Sequence, residues 1–197
     1  MSALAGPLLA PVRLEWAVFM MGDMDEFWVF GYGSLMWNPG FPFEERSLGR
    51  TFGFHRALCV RSWVHRGTQE KPGLVLGLDR GGSCKGVAFR VAAAEWPKTL
   101  DYLRERELVT HVYVERHVPV RLADGRLVSA VTYVVDRTHH QYSGVITTGE
   151  AAEVVASAVG RSGPNIAYLA NTVAHLREIG IRDHWLESVE KLIGERQ

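Results

Sequence analysis

The chain has 197 residues, of which 47% are hydrophobic and 22% are charged, and these values are typical of a soluble globular protein rather than a fibrous or disordered one. The 22 Lys and Arg residues balance the 22 Asp and Glu residues, so the net charge is zero and no global field attracts nucleic acid. With only two cysteines no disulfide framework is indicated, and we expect a cytoplasmic protein.

The first part of the chain is mildly apolar, but it contains two prolines and reaches Arg13 and Glu15 too early for a membrane span. It also lacks the basic segment that begins a signal peptide. We therefore predict an N-terminal extension over residues 1–26 and a single domain over residues 27–197, with no membrane contact.

Six segments between residues 27 and 135 are rich in β-branched and aromatic side chains, which predicts strands in series. The predicted strands cover residues 27–32, 51–60, 74–78, 85–91, 112–122 and 127–135. Turns are expected at the Gly-rich segments 80–82 and 123–125. One helix interrupts the strands; it begins near Pro97 and continues to Glu107.

The pattern changes to helices after residue 147. Thr147 and Glu150 have the spacing of a capping box, and Gly160 stands where this helix is expected to end. Two further amphipathic helices are predicted over residues 165–180 and 184–195. Strands that precede helices indicate an α+β fold in which a curved or closed, mainly antiparallel sheet is braced by helices.

An abrupt end of the first strand provides the first candidate site. Gly31, Gly33 and Ser34 follow an apolar run, and glycines allow consecutive backbone amides to converge on an anion while the serine hydroxyl adds a donor. The segment predicts a cradle for a carboxylate, with an ordinary strand-to-loop turn as the alternative. It lacks the third glycine and the helix of a dinucleotide fingerprint.

Glu107 is the candidate acid or base. At about 100° per residue it lies within about 20° of Leu100, on the apolar face of the predicted helix, whereas Glu105 points away. An inward carboxyl group loses solvation, and its pKa rises toward the range useful for proton transfer. The alternative is an ordinary ion pair with Arg104 or Arg106.

Two polar loops complete the candidate residues. Arg61, Ser62, His65 and Arg66 could recognise the carboxylates of a small acidic substrate, or they could form a solvated hairpin loop. The second loop places the aromatic hydroxyl of Tyr142 after a strand, where it could line a pocket.

Metal and serine-nucleophile chemistry are both disfavoured. The eight histidines include no pair with the spacing of a helical zinc site, and neither cysteine belongs to a Cys-x-x-Cys pair, so we expect no metal. Ser34 does not lie in a Gly-x-Ser-x-Gly elbow, which disfavours a serine hydrolase.

Several segments together resemble the ChaC-type γ-glutamylcyclotransferases, a family that degrades glutathione. The resemblance is carried by residues 29–41, 55–78, 86–91, 102–113, 132–144 and 160–183. It implies a small mixed, mainly antiparallel β-barrel with flanking helices. It also implies a lyase, without a cofactor, that converts glutathione to 5-oxoproline and cysteinylglycine. The oligomeric state is left open.

The same resemblance assigns roles to individual residues. Glu107 matches the family's catalytic glutamate, and the loop that matches the family's γ-glutamyl-binding segment consists of Gly31, Tyr32, Gly33, Ser34, Leu35 and Met36. The predicted substrate-binding set is completed by Arg61, Ser62, Tyr113 and Tyr142. A cyclotransferase for another γ-glutamyl amine or peptide, a hydrolase that yields glutamate and a non-catalytic glutathione-binding module remain as alternatives.

Overall fold

The fold is known from a computed structural model, which describes residues 26–195. Apart from Glu26, the predicted extension over residues 1–26 lies outside the described residues, as do residues 196 and 197, so the domain boundary stays a prediction. Within residues 26–195 every helix is too short or too polar to span a lipid bilayer.

A closed barrel of five strands forms the centre of the described chain. The strands are β1 (Phe27–Gly31), β2 (Glu45–Ser62), β3 (Gly73–Val91), β4 (Tyr113–Leu122) and β5 (Leu127–Val135). They follow one another around the barrel in the order β1, β3, β2, β4, β5, and the parallel pairing of β1 with β5 closes it while all other pairs are antiparallel. The predicted mixed, mainly antiparallel barrel is confirmed.

Four α-helices flank this barrel in the described part of the chain. They are α1 (Trp96–Glu107), α2 (Thr148–Ser157), α3 (Asn165–Glu178) and α4 (His184–Gly194). The predicted capping box forms, because Thr147 accepts a hydrogen bond from the Glu150 amide and the Glu150 carboxylate accepts one from the Thr147 amide. Gly160 does not end α2 as expected; it lies in the two-residue strand β6 (Val159–Gly160), which pairs with β7 (Gly163–Pro164).

The turn predicted at residues 80–82 is absent, because β3 runs through it as one long strand paired with β2. Gly81 and Gly82 adopt φ values of 101° and 69°, and Gly53 on β2 adopts 82° where the register shifts. Glycine tolerates these left-handed conformations, so both strands bend together and the ladder is not broken.

Helix α3 is anchored to the barrel by the buried side chain of Asn165. Its Nδ2 donates to the carbonyl oxygen of Leu74 at 2.8 Å, and its Oδ1 accepts from the Leu74 amide at 2.6 Å. Asn165 is 0% exposed, so water cannot replace these two bonds. The side-chain amide thus pairs the beginning of β3 with the first turn of α3 and sets the position of that helix beside the barrel.

Candidate active site

A cavity of about 700 Å³ opens where the end of β1, the end of α1 and helix α3 approach one another. Its walls combine backbone from the loop after β1 with aromatic, cationic and acidic side chains. The residues that line it are Tyr32, Gly33, Ser34, Leu35, Trp37, Asn38, His65, Arg66, Val75, Leu76, Arg106, Glu107, Tyr113, Tyr133, Ser162, Tyr168, Asn171 and Thr172. Such a volume is sufficient for a small peptide-like ligand.

The loop after β1 folds tightly back on the strand end. A Cβ atom on Gly31 would lie 3.0 Å from the Cβ of Leu35, so a side chain at this position would force the loop outward. A single 3₁₀ turn (Ser34–Met36) follows, and the amide of Met36 donates to the carbonyl oxygen of Gly33 at 2.9 Å. Gly31 and Met36 therefore support the loop from behind and do not line the cavity.

The cavity side of this loop carries unused donors. Within residues 26–195, the amides of Gly33, Ser34 and Leu35 make no backbone hydrogen bond. Because these three consecutive residues line the cavity, their amides are candidates to donate to the oxygen atoms of a bound carboxylate. The carboxylate cradle stays a prediction for this loop.

Glu107 is the last residue of α1, and its side chain reaches the cavity with 18% of its surface exposed. Burial raises the pKa of this carboxyl group, and the positive charge of Arg106 only partly opposes the rise. Of the two arginines considered as partners, Arg106 pairs with it at 3.2 Å, whereas Arg104 binds Glu115. Glu107 is thus a half-buried acid with one cationic neighbour.

Arg106 joins the end of α1 to the loop after β1. Its guanidinium donates to Ser34 Oγ at 2.8 Å, to the carbonyl oxygen of Asn38 at 2.8 Å and to the Tyr102 hydroxyl at 2.9 Å, besides its ion pair with Glu107. These bonds fix the distance between the loop donors and the carboxyl group, although α1 and the loop are far apart in sequence.

Tyrosine hydroxyls form another wall of the cavity. Tyr113 donates to the carbonyl oxygen of Leu76 at 2.7 Å, and the Leu76 amide donates to the Tyr168 hydroxyl at 3.1 Å. Burial raises the pKa of Tyr168 to about 12 and the pKa of Tyr32 well above its usual value. Both phenols therefore remain protonated at neutral pH, and each can donate a hydrogen bond into the cavity.

Two basic residues of the loop between β2 and β3 stand at the rim. His65 Nδ1 lies 3.0 Å from Ser162 Oγ, and Arg66 donates to the Ser162 carbonyl at 2.6 Å with its guanidinium 5.3 Å from the centre of the Tyr168 ring. A Cβ atom on Gly160 would lie 2.4 Å from the Gly67 amide nitrogen, so the close packing of β6 holds this loop in place. The rim therefore presents fixed positive charge.

Five residues of the predicted substrate-binding set lie outside the cavity lining: Gly31 and Met36, described above, and three residues of the polar loops. Arg61 is exposed, and its backbone groups pair with Gln141. Ser62 is buried and accepts a hydrogen bond from the Arg66 amide, so it shapes the loop. Tyr142 donates to the carboxylate of Asp79 at 2.9 Å.

Several lining residues were not predicted as site residues from the sequence, among them Trp37, Tyr133 and Tyr168, and Arg106 was expected only as a possible ion-pair partner of Glu107. Tyr133 and Tyr168 occupy positions in a strand and a helix that follow the same apolar periodicity as core residues. The local sequence pattern is the same for a residue that lines a cavity and for a residue buried in the core. Only the packing of elements that are distant in sequence shows which of the two it is. In residues 26–195 no group of three His, Cys, Asp or Glu side chains is arranged to hold a metal ion.

Comparison with known proteins gives a consistent set of relatives. The family model described as ChaC-like protein matches residues 27–196. A protein of Escherichia coli (strain K12) named glutathione-specific gamma-glutamylcyclotransferase is 37% identical over 177 residues, which cover 88% of this chain and 77% of that protein. A Danio rerio protein named glutathione-specific gamma-glutamylcyclotransferase 1 is 35% identical over 80% of this chain and 83% of its own length.

Solved structures resemble the fold. A crystal structure of a γ-glutamyl cyclotransferase specific to glutathione from yeast superposes with a TM-score of 0.79 at 23% sequence identity, covering 88% of this chain and 97% of that one. At this identity the similarity supports the barrel with its flanking helices and carries no information about individual side chains.

Proposed function

The chain belongs to the ChaC-like protein family, and from this membership we propose that it cyclises the γ-glutamyl group of glutathione and releases 5-oxoproline and cysteinylglycine. It is an enzyme of the γ-glutamylcyclotransferase class. The observation that carries the assignment of the site is the half-buried carboxyl group of Glu107, which shares a cavity with the donor loop after β1. We expect it to act in the cytoplasm.

The reaction is an intramolecular displacement. The α-amino nitrogen of the γ-glutamyl group attacks the side-chain carbonyl carbon, the new C–N bond closes a five-membered lactam, and the original C–N bond to cysteine breaks. Because nucleophile and electrophile belong to the same bound molecule, correct positioning can supply about 7–11 kcal/mol of the barrier. A cavity that holds the γ-glutamyl group in a folded conformation therefore provides much of the catalysis.

Glu107 is our candidate for the proton transfers. An α-amino group has a pKa near 8, so at neutral pH it must lose a proton before its nitrogen can attack. The carboxylate of Glu107 accepts that proton and passes it to the departing nitrogen, and the regenerated carboxylate takes up the second proton, which the ring nitrogen must lose to become a neutral lactam. A pKa raised by burial suits both steps, because it makes the carboxylate a stronger base and still allows the acid form to donate.

The remaining charges of glutathione have complementary groups in the cavity. The unused amides of Gly33, Ser34 and Leu35 are our candidates for binding the α-carboxylate of the γ-glutamyl group. The phenols of Tyr32 and Tyr168 can donate to the carbonyl oxygen as it gains negative charge. The basic rim with Arg66 can attract the carboxylate at the glycine end. No step requires a cofactor.

Mass analysis of the products tests the proposed reaction directly. Purified protein incubated with glutathione should yield 5-oxoproline and cysteinylglycine, whereas hydrolysis would give glutamate, which is heavier by one water. Parallel incubations with γ-glutamyl-alanine and γ-glutamyl-lysine measure the preference for glutathione. Thermal stabilisation by glutathione without any product would instead indicate a binding module and would overturn the enzymatic assignment.

Replacing Ser34 by alanine is expected to weaken substrate binding. The Ser34 hydroxyl is one of the cavity donors, and its oxygen accepts a hydrogen bond from Arg106 at 2.8 Å. Loss of the hydrogen bond from the Ser34 hydroxyl to the substrate carboxylate should raise KM about tenfold with a smaller change in kcat. Steady-state kinetics with glutathione measures both constants. Unchanged constants would mean that the cradle consists of backbone amides alone.

Replacing Arg106 by glutamine is expected to move the acid limb of the pH profile. The Arg106 charge lowers the pKa of Glu107, so its removal should raise that pKa further. Since the carboxylate is the reactive form, kcat/KM should begin to fall at a higher pH than in the parent enzyme. Arg106→Lys retains the charge and should restore the original limb. A limb that does not move in Arg106→Gln contradicts the coupling.

A further inference from the structure

A second concave surface lies on the outer face of the barrel, away from the cavity described above. Two cavities of about 500 and 430 Å³ share Arg50, Lys85, Gly180 and Ile181, so they form one continuous groove, which we call the β2–β3 groove. Its lining has no residue in common with the cavity that contains Glu107. Gly180 and Ile181 contribute the wall formed by the connection between α3 and α4.

A row of three positive charges crosses this groove. Arg50 on β2 is directly opposite Lys85 on β3 and directly opposite Arg121 on β4. Side chains in such positions point to the same face with Cβ atoms about 5 Å apart, and like charges there destabilise the sheet. None of the three forms an ion pair within residues 26–195. In the described part of the chain this row is therefore a concentration of positive charge without a paired carboxylate, although the net charge of the protein is zero.

The acidic residue that lines the groove is already engaged. Asp183 pairs with Arg56 at 3.2 Å, and its carboxylate also accepts a hydrogen bond from the Leu186 amide at the start of α4. It cannot turn toward Arg50 or Lys85 without breaking both contacts. Within residues 26–195 the lining of the groove therefore offers the row no free carboxylate, and this surplus of positive charge suits an anionic ligand.

Apolar surface adjoins the cationic row. Leu48 and Phe52 lie two residues to either side of Arg50 on the outward face of β2, and they are 42% and 57% exposed. Strand geometry places all three side chains on one face. An exposed aromatic ring beside positive charge provides a platform on which a planar ring can stack while an attached anion meets the cations.

We propose that the β2–β3 groove binds a small organic phosphate that carries a planar ring, with the chemistry of a nucleoside di- or triphosphate. The phosphates would lie along Arg121, Arg50 and Lys85, and the ring would lie against Phe52 and Leu48. Three adjacent strands span about 10 Å, which suits a chain of two or three phosphates. A nucleic acid or a lipid surface calls for a wider basic area than one short row.

Calorimetric titration of the full-length protein tests this proposal with ADP, pyrophosphate and adenosine as probes. ADP should bind saturably, pyrophosphate more weakly, and adenosine weakest of all. Arg50→Gln and Lys85→Gln should each lower the affinity for ADP about tenfold, because each removes one charge-assisted contact. Arg116→Gln is the matched control, since Arg116 is an exposed arginine of β4 that lines neither cavity, and it should leave the affinity unchanged.

Three results would overturn the proposal. The first is no saturable binding of ADP to the wild-type protein. The second is an equal loss of affinity in Arg116→Gln, which would indicate non-specific attraction to positive charge. The third is that the protein binds RNA or vesicles with anionic lipids, that Arg50→Gln abolishes this binding, and that ADP does not compete with it. Turnover of glutathione should be unchanged in Arg50→Gln and Lys85→Gln, which confirms that both variants are folded.

Discussion

Glu107→Gln is expected to reduce the formation of 5-oxoproline from glutathione by about 10³-fold or more, because one side chain serves as both general base and general acid. Glutamine preserves the volume and the polarity of the side chain, but it can neither accept the amine proton nor deliver it to the departing nitrogen. Single-turnover measurements of 5-oxoproline at saturating glutathione separate this loss of chemistry from any change in binding.

The same helix offers a control variant. Glu105 is exposed to solvent, two residues before Glu107, so Glu105→Gln removes an equal charge without touching the cavity and should leave turnover unchanged. Turnover near the wild-type rate in Glu107→Gln, with substrate binding intact, would remove this residue from the mechanism.

Thermal unfolding of Glu107→Gln provides an independent measure of the environment of this group. Burial raises the pKa of Glu107 above the ordinary value of 4.5, so the folded state favours the protonated form. This contribution to stability is present below pH 4.5 and is lost as the pH rises through the raised pKa. Glutamine does not titrate, so the variant should gain stability relative to the wild type as the pH rises from 4.5 through the raised pKa of Glu107.

Asn165→Ala is expected to cause the largest loss of stability among the substitutions considered. The change leaves the amide and the carbonyl oxygen of Leu74 without partners in a place where Asn165 is 0% exposed. Two unsatisfied backbone groups should lower the free energy of unfolding by about 2–4 kcal/mol, and Tm by about 5–10 °C. Denaturant titration and calorimetry measure both quantities.

Asn171→Ala is the matched control, because Asn171 is an exposed asparagine of the same helix. Both substitutions replace asparagine by a residue of higher helix propensity, so any difference between them reports the bonds to Leu74. A change in unfolding free energy below about 1 kcal/mol for Asn165→Ala would mean that water enters and replaces the lost side chain.

Much of the architecture follows from local patterns in the chain. Segments rich in β-branched and aromatic residues predicted six strands; four of them correspond to β1, β2, β4 and β5, and the other two both lie in the long strand β3. The Thr147–Glu150 capping box predicted the start of α2. The predicted turn at residues 80–82 failed because glycines mark a bend in a paired strand as readily as a reversal of the chain. A bend forms where a partner strand continues alongside, and a reversal forms where it does not. The partner strand comes from elsewhere in the sequence.

The candidate site divides in the same way. The sequence alone predicted a donor loop at Gly31, Gly33 and Ser34, because the conformational freedom of glycine is a local property. It also predicted that Glu107 lies on the apolar face of its helix, because helical periodicity is local as well. Tertiary structure decided the rest of the site. It brings these two segments to one cavity, links them through Arg106 and completes the cavity wall with Tyr168. Parallel pairing of β1 with β5 and the docking of α3 through Asn165 bring together residues more than 70 positions apart, and no local pattern encodes such contacts.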